Sequence, residues 1–69
     1  MNLFTENGLY EIVYQGAHFS FLRFIRMDQI CNVYYVTLKN ILNGEMYTFD
    51  YEGIIGIREI SNSIHSYAS

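Results

Sequence analysis

The sequence predicts an all-β fold, a single small antiparallel five-stranded barrel or strongly twisted sheet. Three observations carry this. Side chains from Tyr34 to Glu52 alternate between two sets on either side of Asn43-Gly44, the period of a strand. Short runs rich in Val, Ile, Tyr and Phe recur along the chain, each closed by a Gly, Asn or Asp turn signal. The chain has no Pro and no low-complexity linker.

The strongest turn signal is Asn43-Gly44. Asn-Gly readily supplies the two positive-φ residues of a type I′ turn. Such a turn pairs Leu42 with Glu45, Ile41 with Met46, Lys39 with Thr48, Leu38 with Phe49, Thr37 with Asp50 and Val36 with Tyr51. It places Tyr34, Val36, Leu38, Tyr47, Phe49 and Tyr51 on a buried face. Tyr35, Thr37, Lys39, Thr48, Asp50 and Glu52 lie on the other. A one-residue slip mixes these sets.

The remaining elements follow in order. Leu3 and Phe4 precede Asn7-Gly8, which either closes a short hairpin between residues 3–6 and 9–13 or makes a simple turn. Residues 9–15 form a strand with Tyr10, Ile12 and Tyr14 on one face. Gly16-Ala17-His18 turns the chain. Residues 19–27 have mixed faces. As a helix, their polar positions trace one side only loosely; as a strand, they need a bulge. The strand fits the β-rich surroundings. Asp28-Gln29 makes a turn, residues 32–42 and 45–52 form the hairpin, and Gly53 separates it from a last strand over residues 54–60. In that strand Gly56 permits a bend or a close approach. In the tail, Ser61 either caps a short helix that aligns Ile60, Ile64 and Tyr67, or the terminus frays. The whole is one domain over residues 1–69, with 1–8 and 61–69 loosely ordered.

With 69 residues, the chain buries a modest core. A single cysteine excludes an intrachain disulfide and a multi-cysteine zinc site. Reinforcement therefore comes from packing or self-association. At 51% hydrophobic and 17% aromatic, the chain has more aromatic surface than so small a core hides, which points to a homo-oligomer. A net charge of −3 disfavours nucleic acid as partner. No apolar run is long enough to cross a bilayer. The lone thiol, with no export signal in Met-Asn-Leu-Phe-Thr-Glu, points to a reducing, cytoplasmic setting.

The stretch from Asn32 to Ile60 resembles the barrel of WYL domains, bacterial ligand-sensing modules named for a Trp-Tyr-Leu strand. Tyr34-Tyr35-Val36 stands at that strand's place. A Gly-bounded turn, a strand with Phe49 and the aliphatic segment Ile54 to Ile57 follow. Ile12-Val13-Tyr14 resembles the family's opening strand. The family carries an Arg just before its Phe, where Tyr47-Thr48 stands here, and no helix-turn-helix segment precedes the barrel in these residues. The family's anion-binding role is therefore not carried over. Val36-Thr37-Leu38-Lys39-Asn40 resembles a strand of the Sm-like RNA-binding rings, but the following Gly and Asp are spaced differently. Both resemblances imply a small barrel of Sm-like or Src-homology type.

The chemistry-bearing residues form no catalytic motif. Cys31, His18, His65, Asp28 and Asp50 supply nucleophile, base and ligand types without the spacing that joins them. Cys31 reads as a buried, inert thiol and the two histidines as plain surface residues. No cofactor or metal is implied. The cations are few, and Arg23 and Arg26 are half of them. If their strand bulges, both point one way and can clasp a phosphate or carboxylate. Otherwise each pairs with a local acid, Asp28 or Glu11. Lys39 sits on the polar face of the hairpin, and Tyr35, across from Glu52, offers a stacking surface nearby.

These features favour a non-enzymatic binding protein that self-associates and occupies or sequesters a partner, contacting it through Arg23, Arg26, Tyr35 and Lys39. So compact a chain suits an inhibitor from a phage or other mobile element. A small anionic-ligand or nucleotide-binding module and an RNA-binding Sm-like barrel are the rivals, and an enzyme comes last.

Overall fold

The computed structural model describes residues 4–5 and 7–60. Five antiparallel strands form one sheet: β1 (Leu9–Tyr14), β2 (Ala17–Ile30), β3 (Val33–Asn40), β4 (Met46–Asp50) and β5 (Ile54–Glu59). A single 3-10 turn, Tyr51–Gly53, joins β4 to β5. The order across the sheet is β4-β3-β2-β1-β5, an open meander whose last strand returns beside the first. The all-β, five-stranded expectation holds, in its open twisted form. At 14 residues, β2 is the longest strand of the sheet and pairs with both β1 and β3.

Turn chemistry differs from the sequence expectation in all three hairpins. The β1–β2 turn is Gln15-Gly16, with φ of 49° and 86°; Ala17 and His18 already belong to β2. The β2–β3 turn is Cys31-Asn32, with φ of 51° and 69°, between the paired residues Ile30 and Val33. Both are two-residue turns with two positive φ values, the type I′ pattern. Asp28 and Gln29, expected to turn, are paired strand residues opposite Tyr35 and Tyr34.

Asn43-Gly44, by contrast, lies in a four-residue loop, residues 41–44. Asn40 closes it: its N–H donates to the Glu45 carbonyl (2.8 Å), and its carbonyl accepts from Gly44 N (2.7 Å). Its side-chain oxygen accepts from the backbone N–H groups of Leu42 and Asn43. This local side-chain bonding wins over the two-residue turn. The register therefore pairs Val36 with Phe49, Thr37 with Thr48, Leu38 with Tyr47 and Lys39 with Met46. It is two residues from the expected pairing. A two-residue slip leaves every side chain on its expected face, because the strand period is two.

The core agrees with those faces except at Tyr34, which was expected on the buried face and is 48% exposed beside the β2–β3 turn. Val36, Leu38 and Phe49 are buried with Tyr10, Ile12 and Leu22. Phe19 and Tyr47 pack beside Phe49. Phe4 is buried as well, stacked on Phe24 at 5.1 Å and edge-on to Tyr10 at 4.9 Å. The short hairpin expected of residues 3–6 with 9–13 is absent from the described residues. Both edges of β1 are taken, by β2 and β5, so no ladder position remains for it. The expected tail helix lies outside the described residues.

Residues 19–27 are strand, not helix, and two bulges explain their mixed faces. One inserts an extra residue at Ser20-Phe21, opposite Glu11. The other inserts Ile25 between the pairs Phe24–Leu38 and Arg26–Thr37. The core-facing positions therefore run Phe19, Leu22, Phe24 and Met27, at steps of three, two and three. A bulge resets which face the next residue takes. A third bulge, at Ile55, bends β5. Gly56 is not needed for close approach, since a Cβ there would meet Val13 at an ordinary 3.6 Å.

Candidate functional site

The Ile25 bulge decides where the cations go. Arg23 pairs with Lys39 and Arg26 with Thr37. Directly paired residues share a face, and Thr37 and Lys39 share theirs by alternation. Three of the four Lys and Arg residues of the chain therefore stand together on the outer face of β2 and β3. Without the bulge, Arg23 and Arg26, three positions apart, would point to opposite faces.

Across that face the rows are ordered. One row runs Leu9, Arg23, Lys39, Met46 from β1 to β4. The next contains Arg26, Thr37 and Thr48. Thr37 is only 3% exposed, and its hydroxyl bonds that of Thr48 at 3.0 Å. The third row places Tyr35 between Asp28 and Asp50. Tyr35 thus faces Asp50 rather than Glu52, which belongs to the 3-10 turn. The face grades from cationic at Arg23 and Lys39 to acidic at Asp28.

The partners of these charges differ. Arg26 Nε donates to Asp28 Oδ2 at 2.9 Å, an exposed pair two residues apart on the same strand face. Arg23 and Lys39 have no ion-pair or side-chain hydrogen-bond partner among the described residues. The alternative of local pairing thus applies to Arg26 with Asp28 and not to Arg23. Glu11 is engaged elsewhere: it takes Arg58 Nε at 2.9 Å on Oε1 and His18 Nε2 at 2.9 Å on Oε2. The Arg58 guanidinium bound to it holds the Glu11 carboxyl below its ordinary range, against a smaller opposing effect of burial.

A cavity of about 360 Å³ opens on the same outer surface, beside the cationic row. Leu9, Glu11, Ser20, Phe21, Arg58 and Ile60 line it. Its position depends on the Ser20-Phe21 bulge, which turns the Phe21 ring out of the core. Phe21 has a φ of 59° and is 43% exposed. Left-handed backbone at a bulky residue is strained. The sequence signal for this site was present as an extra aromatic in a strand with mixed faces; the contribution of β5 was not legible.

Cys31 is exposed in the β2–β3 turn, not buried. His18 is an exposed strand residue paired with Glu11, not a turn residue. His65 lies outside the described residues. Among the described residues, no three His, Cys, Asp or Glu side chains gather as metal ligands, and no helix is long and apolar enough to cross a membrane.

Comparison with protein-family models, with curated proteins and with solved structures finds no match for this chain. The chemistry of the face rests on its own residues.

Proposed function

We propose that this protein is a binding module that acts by occupying or sequestering a partner, and that it meets an anionic group of that partner with Arg23, Lys39 and Arg26. The observation that carries this reading is the direct pairing of Arg23 with Lys39. Like charges opposite one another in a sheet are unfavourable, and no described acid neutralises this pair. A phosphate or carboxylate set between them removes the repulsion and accepts charge-assisted hydrogen bonds. Arg26 adds a third cation one row away when it exchanges Asp28 for the partner. Tyr35 borders the same face at its acidic end.

No step of bond making enters this reading. Small anions and nucleotides are the second reading, favoured by the cavity whose wall residue Leu9 pairs with Arg23. Self-association belongs to the same proposal: β4 and β5 each have one edge without a ladder partner among the described residues, and such edges pair readily with another chain. The exposed Cys31 thiol suits a reducing compartment, so the cytoplasm is the proposed setting.

The test is capture of partners from a host lysate, followed by titration of the captured partner with wild-type protein and with an Arg23→Ala, Arg26→Ala double variant at low and high salt. The proposal expects weaker binding by the folded double variant and a salt dependence that shrinks with it. Equal affinity and equal salt dependence would remove these residues from the contact.

A further inference from the structure

The cavity beside the cations has a composition of its own. Two aliphatic side chains, Leu9 and Ile60, and the Phe21 ring form apolar walls. The polar lining is already satisfied internally, since the Glu11 carboxylate is held by Arg58 and His18. No unbalanced negative charge therefore repels an anion there. Its volume of about 360 Å³ falls in the range of small-molecule sites.

Two independent features aim this cavity at one ligand chemistry. Phe21 holds a left-handed backbone, φ 59°, at a bulge. Glycine would adopt that backbone without strain. A phenylalanine keeps it here with its ring turned to the cavity rather than to the adjoining core. Strain of this kind concentrates where a side chain is needed in place. The second feature is Arg23, which sits directly opposite Leu9 on one side and Lys39 on the other. Leu9 of the apolar wall, Arg23 and Lys39 are thus consecutive positions of one cross-strand row, and the two cations flank the cavity rather than line it.

We infer that this slot takes a small amphipathic organic anion, with its apolar body against Leu9, Phe21 and Ile60 and its acidic group on Arg23 and Lys39. The inference rests on the proposed role of those cations and adds the apolar half of the ligand. An inorganic anion alone would use the cations and leave the slot unfilled. A neutral apolar molecule would use the slot and gain nothing from the cations.

The experiment uses three probes: anilinonaphthalene sulfonate, its uncharged analogue phenylnaphthylamine, and inorganic phosphate, each titrated by fluorescence or calorimetry. The variants are Phe21→Gly, which relieves the backbone while removing the ring, and Arg23→Gln with Lys39→Gln. Thermal melts establish that each is folded. The sulfonate should bind the wild type saturably at a single site. Phe21→Gly should weaken it by about ten-fold while leaving the response to phosphate unchanged. The Gln double variant should weaken the sulfonate by about ten-fold and leave the uncharged probe unchanged. Sulfonate affinity unchanged by Phe21→Gly but lost in the Gln variant would overturn the slot and leave the cationic contact standing. Sulfonate affinity unchanged in the Gln variant would overturn both.

Discussion

Tyr14 and Asp50 are joined by a hydrogen bond, the phenol donating to Asp50 Oδ1, although β2 and β3 separate their strands in the ladder. The bond records how far the open sheet curls. The Tyr14 ring packs on Phe49 with centroids 4.8 Å apart, and the same Asp50 carboxylate accepts Gly53 N at 3.0 Å, capping the 3-10 turn. One acid thus ties the start of the meander to its last corner.

Gly53 is the sensitive position of this clasp. A Cβ there would lie 2.6 Å from a ring carbon of Tyr14. Gly53→Ala should destabilise the fold by about 1–3 kcal/mol, the usual cost of overpacking. Gly56→Ala, whose Cβ would make an ordinary contact, should cost less. Paired thermal melts of the two variants check the contrast.

The clasp also titrates. The bond to the Asp50 carboxylate, with burial second, raises the Tyr14 phenol above its ordinary value of 10.0. A raised folded-state value means that the stabilisation is fully present below the unfolded value and lost as pH rises through the folded one. Glu11 has the opposite sign: its lowered value makes its contribution full above the ordinary 4.5 and lost as pH falls through the folded value. Melts across pH should therefore show Tyr14→Phe flattening the alkaline limb and Glu11→Gln the acid limb.

Phe49 is 4% exposed and touches the rings of Tyr14, Phe19 and Tyr47. Phe49→Ala should cost about 3–5 kcal/mol, enough to unfold a domain whose whole stability is of that order. Circular dichroism and denaturant titration of the variant decide whether this face is core.

The β3–β4 loop makes a prediction that differs from that of an Asn-Gly type I′ turn. Asn40 accepts two backbone N–H groups and brackets the loop, so Asn40→Ala should cost about 0.5–1.5 kcal/mol. Gly44, at φ 81°, should resist replacement by Val more strongly than Asn43 does. A two-residue turn would instead make Asn40 silent. Conversely, Asn-Gly in place of Cys31-Asn32 should stabilise the β2–β3 turn, because those residues suit its two positive φ values.

The sequence made the faces legible before the register. Alternation around Asn43-Gly44 assigned Val36, Leu38 and Phe49 to the core, and an odd slip would have exposed them. It was blind to an even slip, which preserves every face, and the Asn40 side chain selected that slip. The Cys31-Asn32 turn carried no strong signal because neither residue is a glycine. In β2, the irregular spacing of Phe19, Leu22, Phe24 and Met27 required bulges without saying where they fall. Their positions depend on pairing with β1 and β3. The gathering of Arg23 and Arg26 was legible only conditionally, since it follows from Ile25 being the inserted residue. Of the slot only the extra aromatic in β2 was legible, because Leu9, Phe21 and Ile60 come together only through the pairing of β1 with β2 and the backbone bond from Ile60 to Leu9.

The central claim is that the bulged outer face of β2 and β3 is the binding surface, with the Arg23–Lys39 pair at its focus. The direct measurement is the affinity of the lysate-captured partner for wild type and for a folded Arg23→Ala, Lys39→Ala variant, at low and high salt. The account predicts a loss of about ten-fold or more at low salt and a difference that narrows as salt screens the contact. The same affinity for both proteins at both salt concentrations would contradict it.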